Sequence, residues 1–195
     1  MTVLDDRIEM AEASDELTLD VLFEWLEKMP IPEGTKVEIV GGNIFMSPQR
    51  HTHFQIILDL LEQLRAKYPR ERLASGVRID FPGHLNGFAC DVVAVAERSV
   101  QDEKGRWRYQ DIEFVAEVIS KDTAPNDYGR KKTAYAIAEV PVYVIADPNK
   151  GTCYIYTGPK EGDYVTRTKA EFGDDLDLTG TVVDLVLKTD EFPRD

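Results

Sequence analysis

Cysteine, histidine and positive charge are all scarce in this 195-residue chain. Its two cysteines, Cys90 and Cys153, lie in apolar, strand-like contexts without a neighbour at metal-ligand spacing, so they read as reduced core residues and no disulfide framework is available. Three histidines leave little for a zinc site: His51 and His53 are spaced i, i+2 at a helix start, which does not put both on one face. Lys plus Arg number 23 against 36 Asp plus Glu, a formal charge of −13 that favours solubility and opposes non-specific binding to nucleic acid. No apolar run approaches a membrane span, and the opening "MTVLDDRIEMAEASDE" lacks an apolar signal core, which predicts a cytoplasmic protein. Repeats, low-complexity linkers and a separate DNA-reading module are missing too.

What is present is an ordinary globular composition, long enough to bury a core without cross-links. Residues 1–16 read as a flexible polar leader, and 17–195 as one domain of α/β (α+β) class with an acidic C-terminal segment. Thr18 and Asp20 cap a first helix ended by Pro30 and Pro32. "TKVEIVGGNIFMSP" predicts two strands turning at Gly41-Gly42. Phe54, Ile56, Ile57, Leu60, Leu61 and Leu64 share one side of a helix from about His51 to Tyr68. "LASGVRIDF", "GFACDVVAVAE" and "IEFVAEVIS" each read as a strand, the polar "RSVQDEKGRWRYQD" joining the last two. "NDYGRKKTAYAIAEV" reads as a helix despite Gly129. "PVYVIAD" and "GTCYIYTG" form a hairpin, and "DYVTRTKAEF" adds a strand.

Two of these strands pose a problem. Asp91 interrupts "GFACDVVAVAE" and Glu117 interrupts "IEFVAEVIS", each a carboxylate in a run apolar enough to be covered on both faces. Such acids need a partner. A divalent cation bound by hard oxygen ligands is one solution, if the two strands are neighbours; backbone amides or an arginine are the other. Ile119, two residues beyond Glu117 and on the same strand face, brings no positive charge. On the following helix Lys131 lies four residues after Asp127 and four before Tyr135, so the three share a face. That pattern fits either a cation beside the sheet or a weak surface pair of Lys131 with Asp127. Glu38 in "VEIV" is a third acid in an apolar strand, equally compatible with a site or with solvent.

The order of these motifs, "KVEIVGGNIFMSP", a histidine and amphipathic helix, the strand acid, "EVIS", Asp-x-x-x-Lys-x-x-x-Tyr and "VPVYVIADP", resembles the putative restriction endonuclease family abundant in cyanobacteria and actinomycetes, within the PD-(D/E)XK nuclease superfamily. The likeness spans roughly residues 18–160. It implies a restriction-endonuclease-like fold, a central mixed β-sheet flanked by helices, and magnesium, with manganese as a substitute, held by Asp91 and Glu117. By the same resemblance Lys131 is the lysine displaced onto the following helix, Glu38 the upstream glutamate, and His53 the histidine before the long helix. Cys90 stands where the family usually has proline, and Ile119 where the superfamily has its strand lysine.

The expected activity is hydrolysis of phosphodiester bonds in DNA by an endonuclease with Asp91, Glu117, Lys131 and Glu38 at its site. A nuclease-fold dimeric binding or regulatory module without catalysis is the alternative. Basic residues at 104–108 and 130–132 are expected to form a rim for DNA on an acidic body. Exposed strand edges predict a homodimer.

Overall fold

Helix α1 (Leu19–Glu27) begins where the Thr18 hydroxyl accepts the Val21 amide at 3.3 Å, as its capping sequence predicts. The structure, a computed structural model, describes residues 17–120 and 123–195, so the expected leader over 1–16 lies outside the described residues. Strands β1 (Thr35–Val40) and β2 (Asn43–Pro48) form the expected hairpin, Val40 opposite Asn43. Gly41 and Gly42 turn it with φ of 59° and 77°, values a side chain would strain. Helix α2 (His51–Leu64) follows and buries Ile56, Ile57, Leu60 and Leu64 along one face.

The next strands depart from expectation. "LASGVRIDF" is two strands, β3 (Leu73–Ala74) and β4 (Val77–Phe81), and "GFACDVVAVAE" is likewise two, β5 (Asn86–Cys90) and β6 (Val92–Val95). β4 pairs with β5 and β3 with β6, so the four make one long hairpin bent at Gly76 and Asp91. Gly76, at φ 64°, permits the bend, and its amide donates to the Cys90 carbonyl across it. The halves belong to different sheets because the bend turns β4 and β5 away to pair with the first hairpin.

The chain then runs through β7 (Ile112–Val118), α3 (Ala124–Asn126), a π-helical turn (Asp127–Lys131) and α4 (Lys132–Ile137). Strands β8 (Val142–Asp147), β9 (Thr152–Lys160), β10 (Asp163–Glu171), β11 (Leu176–Asp177) and β12 (Val186–Leu187) complete it. One sheet has the order β2-β1-β5-β4, the other β10-β9-β8-β7-β6-β3. In the larger sheet β7 and β8 are parallel and the remaining pairs antiparallel, a mixed sheet as expected.

Helices cover both of its faces. On one, Ile56, Leu60 and Leu64 of α2 meet Val92, Ala94, Ala116 and Val144. On the other, Ala134 and Tyr135 of α4 meet Val93, Val115, Tyr143 and Ile145. This double coverage is why β6, β7 and β8 read as unbroken apolar runs. The C-terminal segment tucks Leu176, Leu178, Leu187 and Phe192 beneath α2 and leaves Asp174, Asp175, Asp177 and Asp184 exposed.

Candidate active site

Asp91 sits at the junction of the two sheets. Val92 faces Ala116 in the β6–β7 ladder, so one step back along the chain Asp91 stands level with Glu117, and both side chains leave the sheet on the α4 side. One Asp91 oxygen, Oδ2, accepts the Val118 amide at 2.9 Å. The other, Oδ1, faces an ammonium.

That ammonium belongs to Lys36 on β1. Its Nζ lies 2.9 Å from Asp91 Oδ1, 3.1 Å from Glu117 Oε2 and 3.6 Å from Glu38 Oε2. Three carboxylates, from β1, from β7 and from the bend between β5 and β6, therefore point at one nitrogen. Glu38 arrives because β1 and β5 meet only at Ile39 and Gly87; its Oε1 accepts the Ala89 amide that no strand partner takes, at 3.0 Å.

Lys131 closes the cluster from the helical side. Its Nζ lies 2.8 Å from Glu38 Oε1, 2.8 Å from Glu117 Oε1 and 3.2 Å from Asp127 Oδ1, and its side chain is 1% exposed. The i, i+4 pair with Asp127 thus exists, but it is buried rather than on the surface. The π turn brings both inward, the extra residue per turn rotating Asp127 and Lys131 toward the sheet. Tyr135 donates its hydroxyl proton to Glu117 Oε1, which leaves the Cys90 thiol, 3.3 Å away, to donate to the tyrosine oxygen. All four residues expected at the site, Asp91, Glu117, Lys131 and Glu38, thus come together.

Four carboxylates surround two ammoniums here, and burial together with these neighbours shifts the proton affinities of three of the acids. Burial, outweighing Lys36, pushes Asp91 up to about 6. Burial likewise raises Asp127 to about 7 despite Lys131. Glu117 goes the other way: burial opposes its charge, but Lys131 and Lys36 together hold it down at about 2. Both lysines, although desolvated, stay charged, because the acids facing them more than offset burial.

Among the described residues no group of His, Cys, Asp and Glu forms a ready metal cage. Lys36 stands among the carboxylates instead, its Nζ 2.9–3.6 Å from their oxygens. The donor set nevertheless suits a hard dication: Asp91 Oδ1, Glu117 Oε2 and Glu38 Oε2 already converge on a positive charge, and the acids outnumber the internal cations.

The cluster forms the floor of a cavity of about 260 Å³ walled by Ser47, Gln49, His53, Phe54, Leu58 and Ser75. Lys36, Glu38, Asp91, Glu117 and Asp127 reach its surface; Lys131 does not. His53 is buried there, with Nε2 3.8 Å from Asp195 Oδ2 and without a hydrogen-bond partner among the described residues. Burial lowers its proton affinity, favouring the neutral ring.

The expected basic rim does not form. Lys104 and Arg106 fold back onto Asp20, with Arg106 also meeting Asp80 and Asp102, while Arg108 pairs with Asp111. Lys131 is internal and Lys132 pairs with Asp163, so of these cations only Arg130 is exposed without an acidic partner among the described residues. The connector carries four bases against three acids, and Asp20 of α1 and Asp80 of β4 join its own Asp102 and Asp111 in pairing the cations at 104, 106 and 108.

Sequence reasoning missed Lys36. A lysine two residues before a glutamate in "TKVEIV" has the look of an ordinary solvent-facing strand position, and only the approach of β5 and β7 turns that face inward.

A family model, Uma2, described as putative restriction endonuclease, matches residues 23–190. Comparison with curated proteins finds no match. Among solved structures, a putative nuclease from Anabaena variabilis ATCC 29413 superposes with a TM-score of 0.67 at 16% identity, over 90% of this chain and 97% of that one. At that identity the likeness bears on the fold, which is restriction-endonuclease-like.

Proposed function

Since the chain belongs to the Uma2 family of putative restriction endonucleases, we propose that it is a metal-dependent endonuclease hydrolysing phosphodiester bonds in DNA. The observation that carries this reading is the convergence of Asp91, Glu117 and Glu38 on one point at the floor of a cavity. Asp91 and Glu117 would hold magnesium, or manganese in its stead, with Glu38 beside them. Magnesium, when bound, supplies Lewis acidity toward a phosphoryl group.

The chain's own residues divide the remaining work. Lys131, enclosed by carboxylates and away from the cavity wall, is a positioning residue that fixes Glu38 and Glu117. Tyr135 fixes the same Glu117 oxygen from α4. Lys36 is the cation on the wall, where negative charge develops on a phosphoryl group. Val118 holds Asp91 Oδ2 through its amide, so that Oδ1, which now meets Lys36, is the oxygen turned toward the ion's place.

The test is nicking of supercoiled plasmid. Cleavage is expected with magnesium or manganese and lost with a chelator, and Asp91→Asn or Glu117→Gln should each cost about a hundredfold or more in rate. Undiminished cleavage by both variants excludes this site. One observation favours a second reading, a binding module without catalysis: Lys36 and Lys131 already supply internal counter-charge to the acids. Under that reading manganese titration gives no heat of binding. A homodimer is also proposed, from the open edges of β2 and β10; sedimentation at a monomer mass across micromolar concentrations would refute it.

A further inference from the structure

Lys36 is a costly residue to place in this fold. Its side chain is 11% exposed, and an ammonium so far from water persists only where carboxylates surround it. Asp91, Glu117 and Glu38 do so, through Oδ1, Oε2 and Oε2, and all three residues line the cavity. These are the oxygens a divalent ion would use. An ion bonded to Asp91 Oδ1 and Glu117 Oε2 would lie within hydrogen-bond distance of Nζ, and two cations cannot share that point.

The two lysines differ in freedom to move. Lys131 is packed on the π turn under Phe88, its Nζ 5.4 Å from the ring centre, and is gripped by three carboxylates without access to the cavity. Lys36 hangs from β1 by a flexible four-carbon stem and lies on the cavity wall. Its ammonium can leave the carboxylates by rotation of the stem, with β1 still paired to β2 and Lys36 opposite Ser47. The space open to it is the cavity.

We infer that Lys36 is a resident counter-ion occupying the place of the divalent cation, and that entry of the cation expels its ammonium into the cavity, where it becomes the positive charge facing a substrate phosphate. The inference rests on the metal-site reading above and gives it a switch: without the ion the lysine neutralises the acids, and with the ion it is released toward substrate. It also accounts for a cation at the cavity when the strand position two beyond Glu117 is Ile119, buried and apolar.

Two measurements on the full chain test this, with manganese alone as the probe. In calorimetry Lys36→Met should bind manganese about tenfold more tightly than the unaltered protein, because the ion no longer displaces an ion pair. In the unaltered protein, acylation by acetic anhydride followed by mass spectrometry should find Lys36 several-fold more reactive when manganese is saturating, with Lys131 protected in both states. The labelling stands even if the variant fails to fold. If manganese binds but Lys36 stays as protected as before, the switch is wrong and the metal site survives. Manganese binding to neither protein removes the metal site and the switch with it.

Discussion

A buried lysine needs acids around it, and a buried acid needs cations; in this chain the two requirements meet in one cluster. The acids were legible in the sequence because Asp91 and Glu117 interrupt apolar runs, an anomaly that periodicity exposes. Lys36 was not, since alternation along β1 gives a lysine and a glutamate on one face whether that face is wet or dry. Asp127 was half legible: its spacing to Lys131 predicts a contact, but only the π turn makes that contact internal. Its burial has a consequence for pH dependence. Asp127 is raised to about 7 and Asp91 to about 6, against 3.8 in an unfolded chain. Between those limits the unfolded chain has lost protons that the folded chain keeps, so these two groups reduce stability as pH rises from about 4 to about 7. In a chelating buffer, Asp127→Asn removes one of them. The melting temperature of the unaltered protein should therefore fall relative to that variant between about pH 5 and pH 7.5; a difference that grows in the opposite sense contradicts the assignment.

At the scale of elements, the hairpins, helices and mixed character of the large sheet follow from patterning, turn chemistry and family likeness. The two broken strands do not. The apolar run "GFACDVVAVAE" reads the same whether it stays in one sheet or passes between two, because β5 and β6 are both largely buried. The carboxylate at the break is the residue that periodicity marks as out of place, and it marks the corner. The smaller sheet is closed by α1, which lies so near β5 that a Cβ on Gly87 would come within 2.6 Å of the Phe23 ring and 3.3 Å of Leu19. Gly87 faces Ile39 in β1, next to Glu38 and one residue from the Ala89 neighbour Phe88. Gly87→Ala should cost about 1–3 kcal/mol through overpacking. Urea unfolding reads it directly; a stability within a few tenths of a kcal/mol of the parent would mean that α1 is not held against β5 as described.

For the molecule as a whole, the acidic surface and the internally paired cations of the 104–108 tip leave little general attraction for DNA. Under the proposed function the electrostatics that matter are local: a cavity floored by more carboxylates than ammoniums, which would attract a dication and, through it, a phosphate. No described helix is long and apolar enough to cross a membrane. The proposed function depends on that floor accepting an ion. A crystal soaked in manganese and measured at a wavelength sensitive to it tests this most directly. The account predicts an anomalous peak about 2.1 Å from oxygens of Asp91 and Glu117, with Lys36 turned into the cavity. A crystal without such a peak, Lys36 still seated between the carboxylates at saturating manganese, would contradict it.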